Sequence, residues 1–320
     1  MLYYNKLLYY NIFMTNRIQT YLLTLFILVF LLISSANAEV KVVTSIKPIH
    51  SLVSYIMDGV GKPDVIVDGY NSPHGFSLKP SHAKMLENAD LVIWVGEDLE
   101  AFLEKPLQTI VKKAKNIELM DLKGIKKLEF REKNIFEEHD DHKEKDGHEG
   151  HGHGEHDPHV WLDPINAKVI IKEITNQLVQ LDSKNSSIYK SNSKKALTDI
   201  DKLVKDIKKE LNKDLRFVVF HDAYQYFENR FDIQVLGALT VNTDVMPGAE
   251  QLSEIREVIE HEKVNCLFSE PQFNPAIIKS IAKDTKIKTG ILDPLGAKLD
   301  KGKNLYFDLL NDMASSFKGC

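Results

Sequence analysis

From Val40 onward, short apolar runs alternate with longer stretches whose apolar residues return every three or four positions. Residues 40–46 alternate and are β-rich, and Pro48 then opens a helical stretch to Met57. Residues 64–67 read as a second strand that runs into a loop at 68–76, and a helix is predicted over 80–89. The unbroken apolar run within 90–96 fits a strand buried on both faces. A helix over 99–111 and a strand over 116–122 complete the first set. Residues 164–181 carry one helical face, and Leu197, Ile200, Leu203, Val204, Ile207 and Leu211 keep a narrow stripe along a second, long amphipathic helix. The plan then repeats: strands over 216–220, 233–239, 264–269 and 287–292, with helices over 247–262, 275–283 and 306–317.

Strand and helix in alternation imply parallel sheets covered on both faces, hence an α/β protein. The expected architecture is two lobes, each a mostly parallel sheet flanked by helices, joined by the long amphipathic helix. The boundaries read as a first lobe over 39–183, a linking helix over 184–214 and a second lobe over 215–320. A chain of 320 residues with 43% hydrophobic content has material for two such cores. No sequence repeat relates the halves.

The net charge of −5 is small, and no cluster of Lys and Arg offers a footprint for nucleic acid. Before Val40, residues 16–19 lead into a thirteen-residue apolar run, 21–33, followed by Ser34-Ser35-Ala36-Asn37-Ala38. Small residues at 36 and 38 fit a secretory signal over 1–38 with Glu39 as the first mature residue, and the run is short against the ~20 residues of a membrane span. Either Met1 or Met14 can serve as the start. In an oxidising compartment the two cysteines, Cys266 and Cys320, fit one disulfide, two independent thiols being the alternative.

Seven of the twelve histidines fall within 137–162. Over 137–156 the chain mixes His139, His142, His148, His151, His153 and His156 with carboxylates and four glycines, a composition that cannot bury enough surface to fold. It reads as a loop of weak metal sites. At Asp157-Pro158-His159-Val160-Trp161 the character changes, and His159 stands among stiff, bulky neighbours. His74 lies in a loop soon after a strand, while His221, Glu270 and Asp293 each follow an apolar strand run. Ligands of parallel sheets gather beyond the carboxyl ends of strands. The candidate site is therefore His74, His159 and His221, with a fourth oxygen from Asp293, from Glu270 as second choice, or from water. Nitrogen-rich, four-coordinate ligation favours zinc over manganese or calcium.

Five segments occur in order: Ser72-Pro73-His74-Gly75-Phe76-Ser77-Leu78-Lys79-Pro80-Ser81, the run 89–96, 157–164, Phe220-His221-Asp222-Ala223-Tyr224 and Glu270-Pro271-Gln272-Phe273. Together they resemble the zinc-binding members of the metal-specific solute-binding proteins of bacterial ABC importers, over essentially the whole mature chain. The resemblance implies a periplasmic protein that binds Zn²⁺ in the cleft between its lobes as its transported ligand and hands it to a membrane permease; the expected state is a monomer. It also implies that His74, His159 and His221 are the zinc histidines and that Asp293 matches the carboxylate position of manganese-binding relatives. A manganese- or iron-binding member of the same family is the alternative, and a zinc hydrolase is disfavoured because no HExxH motif is present. Two departures from the family stand out: Pro73 replaces an acidic residue found in some zinc members, and the terminal cysteine comes a few residues late.

Overall fold

The computed structural model describes residues 14, 21, 39–136, 155–211, 216–241, 243 and 247–320. Residues Met1–Glu39 form one unit, in which Met14 and Tyr21 are helical and exposed, and Val40–Cys320 form a second, compact one. Ser34 to Ala38 before the expected cleavage point, the alternative start Met1 and His139, His142, His148, His151 and His153 lie outside the described residues. Among the described residues no helix is long and apolar enough to cross a membrane.

The compact unit is built on two four-stranded sheets. The first contains β1 (Val42–Ile46), β2 (Asp64–Val67), β3 (Leu91–Trp94) and β4 (Lys115–Glu118), in the order β2-β1-β3-β4 with every pairing parallel. The second contains β5 (Arg216–His221), β6 (Gln234–Thr240), β7 (Cys266–Ser269) and β8 (Lys288–Ile291), in the order β6-β5-β7-β8, again parallel. The two orders are the same, so the architecture repeats where the sequence does not. In each sheet the winding reverses between the first and third strands, the position where parallel sheets place ligands.

The helices are α1 (Lys47–Ile56), α2 (Pro80–Glu87), α3 (Glu97–Thr109), α4 (Pro164–Leu181), α5 (Ser186–Glu210), α6 (Gln225–Phe231), α7 (Ala249–His261), α8 (Ala276–Thr285) and α9 (Leu305–Gly319). Helix α4 shows why the ends fall where they do: Asp163 accepts a hydrogen bond from Ile165 N at 2.8 Å, and Pro164 occupies the first turn, where no amide hydrogen is needed. Along α5, Tyr189, Ser193, Ala196, Ile200, Leu203 and Ile207 form one buried face that packs on α4, α1 and α9. The helix is thus a seam between lobes rather than a free rod.

Three features depart from the expectation. The segment 225–231, left without an assignment, is helix α6. Strand β4 ends at Glu118, and 119–122 form a turn whose first two amides, Leu119 N and Met120 N, still donate to Trp94 O at 2.9 Å and Val95 O at 3.0 Å. Helix α9 is a second crossing element: it packs on α1 of the first lobe and α5, while Phe317 near its end lies 4.8 Å from Phe217 and 5.3 Å from Phe268 of the second sheet, ring centre to ring centre. The disulfide between Cys266 on β7 and Cys320 fastens that end, with Cα atoms 5.7 Å apart.

Most buried residues of both lobes belong to one continuous core. A smaller core, including Val218, Leu239, Ile255 and Ile281, lies between the second sheet and α7 and α8. The edge of β6 is covered as well. Ile135 forms an antiparallel bridge with Gly237, Ala238 N donates to Asn134 O at 2.8 Å, and Phe136 N donates to Leu236 O at 2.8 Å. Gly237 is required there, since a Cβ would stand 2.6 Å from Asn134 O. This strap carries the chain to residue 137. On the far side of the His-rich segment, His156 bridges Glu129 and Asp157 N donates to Leu128 O at 2.8 Å.

Candidate metal centre

Three imidazoles arrive from three places. His74 sits in the loop between β2 and α2, where Gly75 turns the chain with φ 67° and His74 N donates to Ser72 Oγ at 3.2 Å. His159 precedes a 3₁₀ turn over Val160–Leu162, and His221 is the last residue of β5. One ring nitrogen from each lies within 4.8 Å of the others. No other such group of three or more His, Cys, Asp or Glu residues occurs among the described residues. The rings stand 5.8 Å (His74 to His159), 5.9 Å (His74 to His221) and 5.2 Å (His159 to His221) apart.

Carboxylates aim two of the rings. His159 Nδ1 donates to Asp157 Oδ1 at 2.6 Å, an oxygen that also accepts from His159 N at 2.9 Å. His221 Nδ1 donates to Glu270 Oε1 at 2.7 Å. Each bond fixes the ring and directs Nε2 into the space between lobes. The two Nε2 atoms face each other at 3.3 Å. Two nitrogens each ~2.0–2.1 Å from one tetrahedral zinc would lie about 3.3 Å apart, so the spacing suits that ion. His74 Nε2 is buried with no hydrogen-bond partner, an orphan of the kind a metal would satisfy.

At two of the three rings the electrostatics agree with ligation by neutral imidazole. Burial, reinforced by the neighbouring rings, holds His74 well below the usual histidine range, and burial with His221 nearby does the same to His159. For His221, burial pulls downward, but the Glu270 carboxylate, with Asp222 and Asp157 behind it, leaves that ring above its ordinary value. Burial pushes Asp157 up to about 7 against the His159 amide and the charges of His221 and Arg131. Behind the rings, Arg131 pairs with Asp222 at 2.9 Å and with Glu228 at 2.6 Å. Around the three imidazoles the lining is apolar at Pro73, Trp161, Phe273, Pro294 and Leu295 and polar at Ser72, Glu270 and Gln272.

Asp293 and Glu270 were the candidates for a fourth ligand, and neither belongs to the converging group. Asp293 Oδ1 accepts from Gln272 Nε2 at 2.8 Å and Leu295 N at 3.1 Å, and Oδ2 accepts from Ala297 N at 2.5 Å. A carboxylate followed by proline is well suited to capping the turn in this way. Glu270 serves His221, while its second oxygen is buried without a partner. Asp157 escaped the sequence reading. For Asp157 the signal was present: an aspartate two residues before a histidine across a proline can fold back on it. His156, placed with the weak loop sites, is held in its backbone bridge to Glu129.

Comparison with known proteins agrees with this geometry. Residues 42–320 match the family described as zinc-uptake complex component A, periplasmic. The chain is 42% identical to the high-affinity zinc uptake system protein ZnuA of Brucella abortus, over 96% of this chain and 99% of that protein. It is 37% identical to the protein of the same name from Haemophilus influenzae, over 89% and 93%. A crystal structure of ZnuA, 23% identical, superposes with a TM-score of 0.73 over 88% of this chain and 99% of that one. Full-length matches at this identity, together with the shared fold, establish that the chain belongs to the ZnuA family of periplasmic zinc-uptake components.

Proposed function

We propose that this protein captures Zn²⁺ between its two lobes and surrenders it unchanged to the membrane permease of an ABC importer. His74, His159 and His221 hold the ion, and the fourth position is taken by water or by a carboxylate, Asp293 or Glu270, after a local shift. The observation that carries the reading is the facing pair of Nε2 atoms at 3.3 Å, each ring held from behind by a buried carboxylate. The protein works as a carrier without turnover, a reading supported by the names of its relatives. Zinc as cargo is supported by the names of its relatives and by an all-nitrogen donor set, which suits zinc better than manganese.

Export follows from the amino-terminal pattern, with processing after Ala38 and monomers in the periplasm. The lobes correspond to 39–183 and 215–320, joined through 184–214. The histidines at 139, 142, 148, 151, 153 and 156 supply weak additional sites that raise the local zinc concentration. Calorimetric titration with zinc and with manganese tests the central claim. The intact protein should show one tight zinc site and weaker manganese binding, and His221→Ala should abolish the tight site. Tight zinc binding that survives that change would overturn the assignment.

A further inference from the structure

Lys47 is the first residue of α1, yet its side chain points away from solvent and is only 3% exposed. Its ammonium donates to three backbone carbonyls of the loop that follows β8: Gly296 at 2.7 Å, Ala297 at 3.1 Å and Leu299 at 2.7 Å. An ammonium has three donors, and here each has an acceptor from the other lobe. Burying a charge is costly unless its hydrogen bonds are complete, so a lysine retained in such a place is held to a narrow geometry.

The loop so held touches both walls of the metal centre. Pro294 O accepts from the Trp161 indole at 2.8 Å, and Trp161 stands 5.3 Å from the His159 ring. Asp293 shapes the loop through Leu295 N and Ala297 N, and it also accepts from Gln272, two residues beyond the Glu270 that orients His221. One segment therefore lies between the His159 turn on one lobe and the His221 wall on the other, and Lys47 pins it without touching either ring.

We propose that Lys47 is a positioning residue for metal retention: by clamping the 294–299 loop it keeps the imidazoles of the two lobes at ligating separation, so that zinc escapes when the clamp opens. The proposal rests on the reading that the three histidines hold the ion. Lys47→Met keeps the length and volume of the side chain and removes all three donors. In the mature protein this variant should still bind one tight zinc but release it to a competing chelator about tenfold faster. Lys47→Arg should not restore the rate, because a planar guanidinium cannot reproduce a three-carbonyl cage. An unchanged release rate in folded Lys47→Met, even with a lowered melting temperature, would mean that the lysine is merely structural and would overturn the proposal.

Should that variant fail to fold, hydrogen exchange on the unaltered protein decides. Zinc should slow exchange at the amides of Leu295, Ala297 and Leu299, although none is a ligand, and equal exchange with and without zinc would overturn the proposal. Failure of the underlying reading has a different signature: a tight site that persists in His221→Ala.

Discussion

Asp157 and Glu270 sit one hydrogen bond behind His159 and His221, and they decide where those rings point. Carboxylates in this position fix the tautomer and raise the basicity of the donor nitrogen, and losing one typically costs 10–100-fold in metal affinity. Glu270→Gln, which keeps an acceptor oxygen but removes the charge, should therefore weaken the tight zinc site about 10–100-fold with its stoichiometry unchanged, as competition with a chelator would measure. Another buried acid, Glu100, accepts from Val95 N at 2.7 Å and Gly96 N at 3.2 Å, and burial pushes its carboxyl up from 4.5 to about 7. Between those two values the folded protein binds the proton more tightly than the unfolded chain does. The contribution is thus fully present below pH 4.5 and is lost as pH rises through about 7. Glu100→Gln should flatten that fall, a difference on the order of 3 kcal/mol between pH 4.5 and 7.5, measurable by denaturant titration at the two ends. The three histidines were legible in the sequence because each ends or follows a strand or opens an ordered segment. The partners of Asp293 were not, because the amides it caps and Gln272 come together only once the second sheet has formed.

Regular elements with strong periodicity could be read from the chain almost to their ends: α4 spans the expected 164–181, and the stripe of α5 is the face that the structure buries. Helix α6 was missed for a physical reason. Its seven residues, Gln-Tyr-Phe-Glu-Asn-Arg-Phe, are too few to show a helical stripe, and all but two are buried, so no polar face marks the period. The strap at 134–136 left no local trace either, since its partners on β6 lie about a hundred positions away along the chain. Within α5, Ile200 is fully buried at the center of the seam between α4, α1 and α9. Ile200→Ala should cost about 2–5 kcal/mol of stability by leaving a cavity, seen as a lower denaturation midpoint with an unchanged slope. If the seam also transmits strain between lobes, zinc release will quicken in the same variant; if it only packs them, the rate will not change.

At the scale of the whole molecule, two helices cross between the lobes, and only one of them was foreseen. Helix α9 is held at its first turn, where Tyr306 N donates to Ser51 Oγ at 2.9 Å and Tyr306 Oη to Trp161 O at 2.7 Å, and at its end by the disulfide to β7. Closing a loop across 54 positions restricts the unfolded chain by up to about 4 kcal/mol, so Cys320→Ser should lower the melting temperature by several degrees while the three imidazoles, which do not depend on the bridge directly, still take up zinc. Calorimetry and metal titration on the same variant would separate the two effects. The covered border of β6 also limits how the protein can be trimmed. Because residues 134–136 shield that border, an excision of the histidine tract that starts at 137 removes only the tract. One that starts ten residues earlier would also strip the 134–136 strap from the edge of the second sheet, baring amides and carbonyls of β6 open to pairing with a neighbouring molecule, and the insolubility of such a truncated protein would say nothing about the histidines.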